Sequence, residues 1–106
     1  FLINFFASWC GPCAIEHPTL MALKEQGVRV VGVAYRDKPE AANAFIARLG
    51  DPFALKLNDP EGRAGIEYGI TGVPETYLVG SDGVIIDKVS APMTVEDAQK
   101  LLRKAR

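Results

Sequence analysis

Reactive sulfur is scarce in this sequence. Its 106 residues hold two cysteines, Cys10 and Cys13, with a single histidine and a single tryptophan. A zinc site usually takes four ligands. With no second cysteine pair, only His17 adds an obvious third, so no metal centre is expected. An excess of charge is missing too, since 12 Lys and Arg stand against 13 Asp and Glu for a formal net charge of −1. That balance disfavours nucleic-acid binding, which needs a clustered basic face, and a polybasic hold on an anionic membrane. No apolar run approaches the roughly 18 residues of a membrane-spanning helix. No signal peptide is recognisable, and no repeat, low-complexity tract or linker breaks the chain. An initial methionine is also lacking. The chain opens at Phe1 inside an apolar run and reads as an excised fragment, so a leader or anchor is excluded by nothing within it.

What is present suits one globular domain. The residues are 48% hydrophobic and 24% charged, ordinary for a soluble fold. At this length about two-thirds of the unfolded surface can be buried, enough for one core without staples. Against that background the stretch FFASWCGPCAIEHP, residues 5–18, sets both cysteines two residues apart, after an apolar run and before a helix-forming segment. A disulfide at this spacing closes too small a loop to restrict the unfolded chain much, because the entropy a cross-link removes grows with loop length. As a staple the pair is poor, and redox chemistry is the stronger reading.

Patterning along the chain predicts an alternation of strands and helices. Residues 2–7, LINFFA, form an apolar run of strand length. From Cys10 to about Gln26 the apolar Ile15, Leu20, Met21 and Leu23 fall at helical spacing, with Gly27 as the stop and Pro18 as a kink. Residues 28–35, VRVVGVAY, are Val-rich and predict a strand buried on both faces, as in a parallel sheet. Residues 38–50 predict a helix with proline in its first turn and glycine as its stop. Residues 51–58 read as irregular or a short strand, and residues 60–69 as one short helix. The segments 75–80 and 84–90 flank Ser81-Asp82-Gly83, a turn signal for an antiparallel hairpin. Residues 94–106 predict a closing helix, with Thr94 as N-cap, Asp97 three residues on, and basic residues in the last turn. This order predicts an α/β fold with a mixed central sheet flanked by helices.

A strand, then WCGPC, then a helix resembles the thioredoxin superfamily. Pro18, five residues after Cys13, matches the kink proline of that family, and GVPET matches its cis-proline loop at Pro74. These matches span nearly the whole chain, which is identified as a single thioredoxin-like domain, residues 1–106. Within the superfamily the chain resembles the periplasmic, membrane-anchored thiol:disulfide oxidoreductases of cytochrome c maturation, the CcmG/DsbE type. WCxPC followed by Glu16 and His17, VRVVGVAYRDKPEAANAF, LGDPF, and GVPETYLVGSDGVI with Glu75 carry that resemblance. One departure from general thioredoxins is Asn4, where a buried aspartate is expected six residues before the first cysteine.

The chemistry follows from placement. A cysteine at a helix N-terminus faces free backbone N–H groups and the positive end of the helix dipole. Such placement lowers a thiol pKa by roughly one to several units from about 8.5. Cys10 is therefore the expected attacking sulfur and Cys13, one turn inside, the resolving one; exchange runs through a mixed disulfide. Resolution requires Cys13 to lose a proton that Asn4 cannot accept. Glu16, at i+3 from Cys13 and so on the same helix face, is the expected general base, with Glu75 as a second carboxylate nearby. Gly11 and Pro12 add no charge and, as in the thioredoxin pair, suggest a reducing couple. The resemblance implies that Trp9 shields the site and contacts partners, that Pro12 tunes the couple, and that Pro74 is cis and holds its loop against the disulfide. It implies that the backbone of Val73 pairs with an extended partner segment. His17 is read as an exposed or capping histidine, the loop Tyr35-Arg36-Asp37 as solvated, and Phe5, Phe6 and Phe45 as core.

These readings converge on a reductase of protein disulfides. By resemblance its target is apocytochrome c, or a pathway protein carrying those thiols. Its reductant is a membrane protein of the DsbD/CcdA kind, its compartment is the periplasm, and its only tie to the membrane is an N-terminal anchor. No cofactor is expected. The alternatives are a general thioredoxin-like disulfide reductase and, with no catalysis, a metal- or peptide-binding module.

Overall fold

The computed structural model describes residues 1–105. Its elements in chain order are β1 (Leu2–Phe6), α1 (Gly11–Glu25), β2 (Val30–Tyr35), α2 (Pro39–Leu49), β3 (Leu55–Asp59), α3 (Arg63–Tyr68), β4 (Glu75–Val79), β5 (Ile85–Val89) and α4 (Val95–Arg103). The strands form one sheet in the order β3-β2-β1-β4-β5. β1 pairs in parallel with β2 and β2 with β3, while β1–β4 and β4–β5 are antiparallel. The expected mixed α/β architecture is therefore the one found. The segment read as irregular or a short strand is β3, a parallel edge strand.

β1 lies at the centre of the sheet with both faces covered, which explains why LINFF is apolar except at Asn4. Successive side chains alternate between faces. Leu2 and Phe6 enter the larger core with Leu20, Leu23, Phe45 and Leu101, while Phe5 packs on the other face with Val33 and Tyr77. The alternation sends Asn4 to the same face as Leu2 and Phe6, beneath α1. Phe6 stacks between Phe45 and Phe53, with ring centroids 5.9 and 5.0 Å away. The Phe53 ring in turn lies flat on β2 at Gly32, where an added Cβ would stand 2.7 Å from the ring. Only a residue without a side chain admits that approach.

Helix α1 buries Cys13, Glu16, His17, Leu20 and Leu23. This stripe differs from the expected one in phase. Ile15, counted among the apolar positions of the helix, is 79% exposed, because it lies two residues from Cys13, about 200° around the helix. His17 falls inside the stripe and is 2% exposed, so of the expected exposed or capping roles only the capping one is found. Its Nε2 lies 2.7 Å from the carbonyl oxygen of Gly50, and its ring meets Phe45 edge-on. His17 thus satisfies a carbonyl just beyond the end of α2. Pro18 lies inside α1 as expected.

Helix α4 opens with a complete capping box: Asp97 N–H donates to Thr94 Oγ1 at 3.1 Å, and Thr94 N–H to Asp97 Oδ2 at 3.0 Å. The helix ends at Arg103, short of the expected span to 106; Arg106 lies outside the described residues. Among the described residues no helix is long and apolar enough to cross a membrane.

Candidate dithiol site

The cysteine pair sits where the sheet hands the chain to α1. Cys10 is the N-cap of the helix, with extended backbone at φ −98° and ψ 108°. Its Sγ accepts the backbone N–H of Cys13 at 3.2 Å, the bond that an N-cap side chain makes to the first turn. Gly11 and Pro12 occupy the first two helical positions, where a proline loses no intrahelical hydrogen bond. Cys10 and Cys13 are joined as a disulfide with Cα atoms 5.3 Å apart. The two cysteines are 5% and 2% exposed, so access separates them only slightly. Position separates them more: Cys10 Sγ faces the free N–H groups of the first turn, and Cys13 lies within it.

Trp9 flanks the pair with 59% of its surface exposed. Its indole Nε1 donates to the Arg36 carbonyl at 3.0 Å. On the other side lies the loop before β4. The Val73–Pro74 bond is cis, and the Val73 carbonyl oxygen is 3.5 Å from Cys10 Sγ. Pro74 is buried while Val73 is partly exposed.

Glu16 lies three residues along α1 from Cys13, on the same buried stripe, and is 2% exposed. Its Oε1 accepts from Asn4 Nδ2 at 3.0 Å, and its Oε2 from the Met93 N–H at 2.8 Å. The second Asn4 N–H goes to Thr76 Oγ1 at 2.9 Å, and Asn4 Oδ1 is buried without a hydrogen-bond partner. Burial pushes the Glu16 pKa above its ordinary value, and the bonds from Met93 and Asn4 only partly offset this.

The expected companion carboxylate is elsewhere. In the β1–β4 register Asn4 faces Thr76 and Phe5 faces Glu75, so Glu75 projects from the opposite face of the sheet to the Asn4–Thr76–Glu16 cluster. Glu75 Oε2 accepts the Thr71 N–H and hydroxyl at 3.0 and 3.1 Å, and Oε1 lies 3.3 Å from the Tyr77 hydroxyl. Lys88 Nζ stands 3.8 Å from it. Glu75 therefore clasps the loop carrying Val73 and Pro74 rather than joining Glu16. Burial, then the Glu75 charge, raises the Tyr77 hydroxyl to about 12.

The loop after β2 is not the solvated connection expected. Asp37 is buried, and its carboxylate accepts Ser8 N–H at 2.7 Å, Ser8 Oγ–H at 2.9 Å and Lys38 N–H at 3.0 Å. Arg36 itself is exposed. Ser8, Asp37, Thr76 and Met93 are thus contacts of the site that sequence reasoning missed. Of these only Asp37 carries a local signal, an acidic residue two positions before the proline that opens a helix. Among the described residues no three His, Cys, Asp or Glu side chains come together to hold a metal ion.

A mixed sheet with a dithiol at a helix N-terminus and a cis-proline loop opposite defines a thioredoxin-fold redox domain. The chain belongs to the Redoxin family, whose model matches residues 1–102. It is 42% identical over 93 residues to the thiol:disulfide interchange protein HelX of Rhodobacter capsulatus, covering 88% of this chain and 53% of HelX. It is 45% identical over 94 residues to CycY of Rhizobium leguminosarum bv. viciae, another thiol:disulfide interchange protein, covering 88% of this chain and 50% of CycY. It is 43% identical over 84 residues to DsbE of Escherichia coli K12, covering 79% of this chain and 45% of DsbE. The chain therefore spans about half the length of the curated relatives it matches. Among solved structures, MTB DsbF superposes with a TM-score of 0.88 at 25% identity, over 99% of this chain and 79% of that one. StoA of Bacillus subtilis superposes with a TM-score of 0.75 at 26% identity, over 95% and 80%.

Proposed function

We propose that this chain is the redox domain of a thiol:disulfide interchange protein and works as a reductase of protein disulfides. The observation that carries the reading is Cys10 Sγ at the N-cap of α1, accepting a backbone N–H of the first turn. In the reduced protein the same N–H meets a thiolate and stabilises it. Cys10 thiolate attacks one sulfur of the partner's disulfide, forming a Cys10–partner S–S bond and releasing the other partner sulfur as a thiolate, which takes a proton from solvent. Cys13 then loses its proton and attacks Cys10 Sγ, forming the internal disulfide and releasing the second partner thiol. Two electrons pass to the partner, and an external dithiol must restore Cys10 and Cys13.

Glu16 is the proposed acceptor of the Cys13 proton. It shares a helix face with Cys13, and its burial raises its affinity for a proton. Trp9 and the Val73 backbone are the proposed partner contacts: one is an exposed aromatic beside the dithiol, the other a carbonyl at its edge. Gly11 and Pro12 keep the span between the cysteines free of charge, which favours a reducing couple, and Pro74 holds the Val73 loop. The likeness to HelX, CycY and DsbE supports an extracytoplasmic, periplasmic setting with an N-terminal membrane anchor. There the target would be apocytochrome c thiols, or a pathway protein carrying them, and the reductant a membrane protein of the DsbD/CcdA type. Oxidising surroundings make a dedicated reductant necessary for such thiols.

The test is a trap. Cys13→Ser leaves the attacking sulfur but removes the resolving one, so mixed disulfides should accumulate on Cys10 in the native compartment. A narrow catch of cytochrome-maturation proteins supports the specific reading, and a broad catch supports a general thioredoxin-like reductase. No covalent catch, together with no exchange by the unmodified protein, would contradict both.

A further inference from the structure

Two adjacent residues of the loop after β2 grip two adjacent residues just before the dithiol. Asp37 receives both the backbone N–H and the hydroxyl of Ser8, and Arg36 receives the indole N–H of Trp9 on its carbonyl. Between the end of β1 at Phe6 and the N-cap at Cys10 there are only three residues, and Cys10 N–H closes a turn onto the Ala7 carbonyl at 3.2 Å. The conformation of that short segment sets where Cys10 Sγ stands relative to the helix. It also sets how the Trp9 ring is presented beside the dithiol.

The loop that does the gripping is itself constrained. Arg36 has φ +46°, the one positive φ at a non-glycine residue among the described residues, in the left-handed region that side chains rarely adopt. It is held there by its N–H, which donates to the Asp59 carbonyl at 2.8 Å. Asp37 meanwhile ties the start of α2 through Lys38 N–H, and Lys38, the N-cap of α2, has no side-chain cap of its own. A buried carboxylate fully engaged with N–H and O–H donors costs much less than an unpaired one, and here its partners lie on both sides of a chain reversal next to the dithiol.

We propose that Asp37 is a positioning residue for the dithiol, holding Ser8 so that Trp9 and Cys10 are fixed for attack on a partner disulfide. The inference rests on the reductase reading above. Asp37 touches no reacting atom and acts through Ser8. Misplacing a reacting group by about 1 Å can cost on the order of a hundredfold in rate, and loosening this segment should cost about tenfold.

The experiment compares the wild-type chain with Asp37→Ala, Asp37→Asn and Ser8→Ala. The probe is an oxidised Cys-x-x-Cys-His peptide, and its reduction is followed across pH. Trp9 is the single tryptophan of the chain, so time-resolved indole anisotropy reports its mobility without any activity. The expected result is a roughly tenfold slower exchange in Asp37→Ala, by the same factor at every pH, with a more mobile indole. Asp37→Asn should recover part of both, and Ser8→Ala should show a smaller loss in the same direction, which keeps the test alive if Asp37→Ala does not fold. Rates within twofold of wild type with an unchanged indole would overturn the proposal. So would a pH profile displaced along the axis with no loss at its plateau, since that is a charge effect on Cys10. If the wild-type chain itself fails to reduce the peptide, the reductase reading fails, while the anisotropy still decides whether the clamp exists.

Discussion

At Cys10 one sulfur does two jobs, closing the disulfide and capping a helix, and the chemistry proposed for it depends on the second. Removing the attacking sulfur by Cys10→Ser should abolish exchange, whereas Cys13→Ser should leave the first step and block the second. Glu16 makes a separate prediction. Its raised pKa means that the folded state holds a proton the unfolded chain has already released. This contribution is fully present below the ordinary value of 4.5 and is lost as pH rises through the raised folded value. Urea unfolding across pH should show stability falling through that window, and Glu16→Gln should flatten the slope; an unaltered slope would remove the assignment. If Glu16 also accepts the Cys13 proton, the same variant should slow resolution of the mixed disulfide at neutral pH. The cysteines and the proline loop were legible as residues because their roles are local to short motifs. The burial of His17 and Asp37 was not. Each is buried by a partner distant in sequence, the Gly50 carbonyl and Ser8, and single-chain polarity points such residues outward.

Among the elements, α1, β2, α2, the β4–β5 pair and α4 were legible from periodicity, glycine and proline stops, and the Thr94–Asp97 cap. The phase of α1 was not, because its buried stripe starts from Cys13 and carries Glu16 and His17 instead of Ile15 and Met21. β3 was ambiguous because it is an edge strand whose Leu55 and Leu57 are each about half exposed. Packing between elements makes its own predictions. Gly32→Ala in β2 should destabilise the fold by about 1–3 kcal/mol, the range for an overpacked core, since the Phe53 ring that must yield is stacked on Phe6. Thr94→Ala should cost about 1 kcal/mol through loss of the α4 cap. Chemical denaturation of the two variants checks both figures, and a neutral Gly32→Ala would mean that Phe53 does not press on β2.

For the whole molecule, the order of elements and the mixed sheet were legible because β1 and β2 read as buried parallel strands while the turn at Ser81-Asp82-Gly83 reads as a hairpin. What the order did not reveal is that the sheet stands between the two carboxylates Glu16 and Glu75. Glu16 and Glu75 belong to opposite faces, and only register shows it. The consequence is a division of labour in which Glu16 lies on the α1 side with Cys13, the proposed resolving cysteine, and Glu75 braces the cis-proline loop. With an uncharged Gly-Pro pair between the cysteines, equilibration with a redox buffer should give a potential more negative than the about −120 mV of the strong oxidant DsbA. A value at or above it would reverse the proposed direction of electron flow.

Whether the N-terminus of α1 activates Cys10 is read by titrating Cys10 in the reduced protein, followed by thiolate absorbance with Cys13→Ser as the control that isolates it. A thiolate stabilised by the N-terminus of α1 should form with a pKa clearly below the about 8.5 of free cysteine. A Cys10 pKa at or above that value would mean that the helix does not activate it and that Cys10 is not the attacking sulfur.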